Sequence, residues 1–303
     1  MLHQSLLDLA AQAPLSGTGA TARGVLAESH ELLRNALDHR EPETELVTWY
    51  STLVADTLSC PAAVELSGGA RVVPSGAVGR GDALPTSPVT WLTVTTGAPS
   101  GNPAEELAEL VAGAGLPVGT TAPALAPAPA EVWRARADAA VADGDADLIA
   151  ELADAGLLTA PGPVPALLEQ AVGQRPASLR SHDGLPDRSM PVDVLSDILV
   201  PVSAVARWAG LAAGTADRST PGRIAAGQEG GLLSAGEGDA LQQAWGTGLA
   251  LQFRRWVDRV DGHPAILGDL TALDRTAYGA AARMVAGVLR SLAARHDIPL
   301  AGL

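Results

Sequence analysis

The apolar positions of the first sixty residues recur at helical spacing. Leu2, Leu6, Leu7 and Leu9 mark a helix over 2–12, and Val25, Leu32, Leu33 and Leu37 a second over 21–38. Leu46, Trp49, Tyr50, Leu53, Val54 and Leu58 form the stripe of a third, over 43–58, with Pro42 at its start, where a missing N–H costs little. Then the period changes. After a Ser-Gly-Gly turn at 67–69, residues 71–74 read as a short strand and Val89 to Thr95, rich in β-branched residues, as another. Helical patterns return at 103–114, 131–142, 145–154 and 162–172. Between the first two of these lies LPVGTTAPALAPAPA, 116–130, a loop or flexible connector by its Ala/Pro content.

Residues 175–189 are polar, with charges of both signs, and read as a surface loop; MPVDVL, 190–195, reads as a short strand or the entry to a helix. From Ser196 onward the pattern is helical. Ile198, Val202, Val205 and Trp208 share a face, residues 232–260 form a long tract with an interruption expected near Gly246 and Gly248, and 270–294 form a final amphipathic helix. No strand signal follows residue 195. The expectation is an α+β chain: N-terminal helices over 1–40, a small mixed sheet flanked by helices over 41–190, and a C-terminal helical bundle over 191–303.

Composition narrows the chemistry. The chain has 303 residues, 47% of them hydrophobic, enough for a sizeable core. No apolar run approaches the ~18 residues of a membrane span, and the start lacks a basic region and carries Asp8, so neither a membrane nor a signal peptide is expected and a cytoplasmic location is the default. All 20 basic residues are Arg, so a P-loop lysine or Schiff-base chemistry is excluded. The net charge of −14 argues against nonspecific nucleic-acid binding, which needs clustered positive charge, but leaves room for one nucleotide in a local basic spot. Cys60 is the sole cysteine, which excludes an internal disulfide and a Cys-based zinc site; an inert buried or half-buried thiol is expected.

One stretch invites chemistry. In VPSGAVGRGDALPTSPVTW, 73–91, a strand runs into Gly76, Gly79 and Gly81, which let backbone amides turn toward an anion, and Arg80 adds a donor fork suited to phosphate. An ordinary turn with a solvated Arg fits the same residues. The wider string, Gly76-Ala77-x-Gly79-Arg80-x-Asp82 followed by Ser87-Pro88-Val89-Thr90 and an apolar strand, resembles a nucleotidyltransferase signature: a Gly-Ser turn, Gly-Arg-x-Glu, then Ser/Thr-Asp-x-Asp/Glu. The family it resembles is the bacterial nucleotidyltransferases that look like the PII-protein uridylyltransferase. Downstream, Val192-Asp193-Val194, Leu199-Val200-Pro201-Val202, Ala206-Arg207 and the helix with Arg254 and Arg255 are similar to that family's C-terminal helical domain, so the resemblance spans roughly residues 40–295.

What the resemblance implies is an NTP handled with two Mg²⁺ ions on sheet carboxylates. Mg²⁺ requires oxygen ligands, and acids at i and i+2 of a strand share a face. Here Pro88 and Thr90 stand at the two expected acid positions and Ala77 at the Ser, while Arg80 and Asp82 remain. A third carboxylate is implied at Asp154, within Leu152-Ala153-Asp154-Ala155-Gly156; a plain helix with a solvated Asp fits that segment as well. The candidate site is thus Asp82 and Asp154 as catalytic acids, with Gly76, Ala77, Gly79 and Arg80 binding nucleotide. The lead reading is a catalytically weakened homologue that binds a nucleotide or phosphate as a regulatory module, with a signalling protein as partner. The alternatives are an active Mg²⁺-dependent transferase acting on a protein hydroxyl, and an interaction scaffold. His182-Asp183, His263 and Arg254-Arg255 read as surface residues, and Trp49, Trp208, Trp245 and Trp256 as packing residues.

Overall fold

The structure is a computed structural model that describes residues 2–96, 103–119, 125–158, 162–176, 181–182, 185–260, 263 and 265–300. It divides into two compact units, Met1–Thr159 and Ala160–Leu303.

In the first unit α1 (Gln4–Gln12), α2 (Gly19–Asp38) and α3 (Glu43–Thr57) pack together, each turning its Leu/Val/Trp stripe inward. Thr18 and Thr21 close a capping box at the start of α2, satisfying amides that have no partner inside the helix. The short α4 (Pro61–Leu66) leads to β1 (Arg71–Ser75), which runs into α5 (Gly76–Arg80). Cys60, just before α4, is buried and free. β2 (Thr90–Thr95) pairs antiparallel with β1, Val73 opposite Leu92. After α6 (Pro103–Gly113), the two-residue β3 (Ala128–Pro129) adds a parallel edge to β2, Val94 opposite Ala128. The Ala/Pro stretch read as a connector therefore carries sheet: short backbone pairing needs no periodic side-chain pattern. α7 (Ala130–Asp143) lies against the sheet, its Trp133 Nε1 donating to Thr93 O at 3.0 Å, and ends at Gly144 in a left-handed cap. α8 (Ala146–Asp154), capped by Asp145, packs on β1 and α5 through buried Ile149 and Leu152. The small mixed sheet flanked by helices is as expected.

The second unit is helical apart from short pairings. It comprises α9 (Pro165–Gly173), β4 (Ser181–His182) with β5 (Leu185–Pro186), β6 (Pro191–Val192), a π-turn over Leu195–Leu199, α10 (Val200–Ala213), α11 (Thr220–Glu229), α12 (Ala235–Val257), β7 (Ala265–Ile266) and α13 (Ala272–Arg295). The bundle was expected from 191; α9 groups with it because it packs on α10 and α13. The expectation of no strand after 195 fails at β7, which pairs antiparallel with β6. The expected break at Gly246 and Gly248 is absent: α12 is continuous, and Gly248 instead admits Leu199, whose Cδ2 would lie 2.7 Å from an added Cβ. Leu195–Ala213 is long and apolar enough to span a membrane, but 72% of it is buried within the unit, as for the core helix of a bundle. Trp208, Trp245 and Trp256 are buried here and Trp49 in the first unit, so all four serve packing. His263 is exposed; Asp183 lies outside the described residues.

Candidate functional site

The Gly-rich stretch is a one-turn helix rather than an open loop. Ser75 precedes it, and Gly81 closes it with φ +81°, a conformation that costs a side chain dearly. The amides of Gly81 and Asp82 are taken by Val78 O at 3.1 Å and Ala77 O at 2.9 Å. They are therefore spent on the turn itself, not presented to an anion. Gly79 is packed closely: a Cβ there would lie 2.5 Å from Asp154 O and 2.6 Å from Pro74 O. Its lack of a side chain lets the end of α8 close against α5 and β1. Gly76 likewise leaves room for Thr90, whose Oγ1 would lie 2.8 Å from an added Cβ.

That closure brings three of the residues picked from the sequence together. Arg80 Nε donates to Asp82 Oδ2 at 3.0 Å, and Arg80 Nη1 donates to Asp154 Oδ2. Asp154, read equally as a solvated helix residue, is 1% exposed; Asp82 is 5% and the Arg80 side chain 12% exposed. Burial by itself would lower the Arg80 pKa, but the charges and hydrogen bonds of Asp154 and Asp82 outweigh it and raise the pKa above its usual value. The guanidinium is thus permanently charged and sits between two carboxylates. The trio carries a formal net charge of −1, so a phosphate gains nothing by approaching it.

Pro88 and Thr90 are both in contact with the chain around them. Ser75 Oγ donates to Thr90 Oγ1 at 3.0 Å. Val89 pairs in parallel with Val118, with Val89 N donating to Pro117 O at 2.8 Å and Gly119 N to Val89 O at 3.0 Å. This lays residues 117–119 alongside Val89, immediately before β2. Thr90 Cγ2 and Pro88 Cβ press on Gly119, where a Cβ would lie 2.3 Å and 3.4 Å from them. Ala77 contributes its backbone only.

Mg²⁺ does not fit this donor set. Two-metal chemistry needs several uncommitted carboxylates around one point. The two acids present are bound to Arg80, and the two expected beside them are Pro88 and Thr90. Among the described residues no group of three or more His, Cys, Asp or Glu is arranged to hold a metal ion.

Sequence reasoning missed Ser51. Its Oγ accepts from Ala83 N at 2.7 Å and donates to Val47 O at 2.7 Å, pinning the residue after Asp82 to α3. A small hydroxyl at Ser51, four residues after Val47 and three before Val54 on a buried face, was the available signal.

Arg254 and Arg255, read as surface residues, line a cavity of about 320 Å³ in the second unit, with Val194, Leu251 and Asp274. Comparison with known proteins bears on this unit. Residues 179–298 match a family model described as "Putative nucleotidyltransferase substrate binding domain", a match to less than half of the chain. No curated protein matches the chain. The second unit is accordingly similar to the substrate-binding part of nucleotidyltransferases, which supports a nucleotidyltransferase-like assignment.

Proposed function

We propose that this chain is a nucleotidyltransferase-like substrate-binding protein whose own transfer site is closed, and that it serves as a regulatory module. The observation that carries this is the buried Arg80 guanidinium between Asp82 and Asp154. In a working site of the resembled type, cations bridging such acids would be Mg²⁺ ions that also hold the triphosphate. Here the bridging cation is part of the chain. It has no open coordination position, cannot activate a hydroxyl, and offsets half of the negative charge that would draw a divalent ion. The Thr90–Ser75 hydrogen bond and the packing of Gly119 against Thr90 and Pro88 support the same reading. The match of residues 179–298 supports a binding role for the second unit. A signalling protein is the partner such a module would serve.

The test is pyrophosphate release and calorimetry on the full chain with ATP, UTP, GTP and CTP, each with Mg²⁺ or Mn²⁺ and with chelator. The expected result is no release above the blank and no nucleotide affinity that depends on the metal. Metal-dependent release that Asp154→Asn abolishes would overturn the reading and restore the active transferase.

A further inference from the structure

The cavity beside Arg254 and Arg255 is not used by anything above. Its floor is aliphatic: Val194, Leu251 and Ala265 are buried there. Its wall holds charges of both signs. Arg254, with a side chain 51% exposed, donates Nη1 to Asp274 Oδ1, and Asp274 Oδ2 accepts from Thr271 Oγ1 at 2.7 Å. Arg255 Nη2 donates to Val260 O and His263 O, each at 2.8 Å, which fixes the guanidinium with backbone carbonyls rather than a carboxylate. Exposed Asp258 and Asp269 complete the wall, Asp269 accepting from Ile266 N at 3.0 Å.

Charge balance selects the ligand. An anion would meet Asp258 and Asp269, a cation would meet two guanidiniums, and a purely apolar body would strip water from all of them without replacing it. A ligand with one charge of each sign on an aliphatic body answers every group. Its carboxylate suits the guanidinium fork, its ammonium suits an aspartate, and its body suits the floor. Size agrees: about 320 Å³ is at the lower end of the ~300–1,000 Å³ of ligand pockets. Among the described residues no Trp, Tyr or Phe lines the cavity, so a nucleobase would have no ring there to stack on.

We propose that this cavity binds a free α-amino acid with an aliphatic side chain. The proposal rests on reading the second unit as a binding module, and is indifferent to whether the first unit transfers anything.

The experiment is calorimetry of the full chain with L-leucine, with isoamylamine (the same body without a carboxylate), with 4-methylpentanoate (the same body without an ammonium), and with ATP. Leucine should bind saturably at one site, and each truncated analogue about ten-fold or more weaker, as expected for losing a charged hydrogen bond. Asp258→Asn and Arg255→Gln should each weaken leucine similarly. Asp258 is exposed and makes no side-chain hydrogen bond among the described residues, so the Asn variant guards against a loop disturbance in the Gln variant. Absence of saturable leucine, valine or isoleucine binding up to ~10 mM would overturn the proposal, as would 4-methylpentanoate binding as tightly as leucine. If ATP binds instead and Arg255→Gln removes it, the amino-acid assignment falls while the binding role stands. If nothing binds, both fall.

Discussion

Replacing Arg80 with Met keeps the length and apolar stem of the side chain and removes the charge. The consequence follows from burial. Asp154 and Asp82, 1% and 5% exposed, would be left without the cation that now bonds to both. Breaking a buried ion pair by removing one partner costs about 3–5 kcal/mol, and here one guanidinium serves two acids, so the upper part of that range is expected. For a unit of this size the loss corresponds to roughly 10–20 °C in the unfolding midpoint.

The pH dependence makes the expectation specific. Two buried carboxylates without a cation hold protons more tightly than they do in the unfolded chain. The folded variant then binds more protons than the unfolded one, so its stability rises as pH falls. The deficit relative to the native protein should therefore shrink between pH 7 and pH 5. The assay is urea unfolding followed by circular dichroism at several pH values, with Asp82→Asn and Asp154→Asn added to the Arg80→Met background. Those additions should recover part of the loss by removing the uncompensated charges. A deficit below about 1 kcal/mol, or one that is the same at pH 7 and pH 5, would refute the claim that Arg80 neutralises two buried acids.

Gly79→Ala should cost about 1–3 kcal/mol, because the new Cβ would meet the carbonyls of Asp154 and Pro74 at 2.5 and 2.6 Å and backbone must move on both sides; thermal unfolding within error of the native protein would contradict that packing. Restoring the expected acids with Pro88→Asp and Thr90→Asp should leave Mn²⁺ binding undetectable by calorimetry while Arg80 is present, whereas micromolar binding would show that Arg80 is not what blocks the metal. Glu237 is the test of the second unit: burial alone would raise its pKa, but bonds from Ser234, Ser291 and Arg295 hold it down at about 2, against 4.5 unperturbed. Its contribution is then present above about pH 4.5 and lost as pH falls toward about 2, so Glu237→Gln should lose stability at neutral pH and show a flatter acid limb in urea titrations.

The longer helices of both units were legible because each repeats its own period locally, whereas the short α4 and the one-turn α5 span too few residues to show one. Leu46, Trp49, Tyr50, Leu53 and Val54 announce the buried face of α3 without reference to anything else in the chain. β7 and β3 were not, because a two-residue pairing carries no period and is set by the strand it meets. Gly248 was read as a break because an isolated glycine weakens a helix; the packing of Leu199 against it supplies the compensating contact. At the site, sequence picked out Arg80, Asp82 and Asp154 by type and order, as a nucleotide-binding residue and two catalytic acids, but not that they bond to one another.

The sequence by itself determined the long helices, whose apolar period is plain, and the glycine-rich turn at the end of β1, and it placed Pro88 and Thr90 where the resemblance leads one to expect acids. Only the tertiary structure decided that Arg80 and Asp154, 74 residues apart, close on each other, that residues 117–119 pair with Val89, and that Val194 shares a cavity with Arg254 and Arg255. The physical reason is range. Periodicity and turn chemistry act over a few residues and are written locally, whereas whether an arginine faces water or two buried carboxylates depends on how elements far apart in the chain pack, down to a missing Cβ at Gly79.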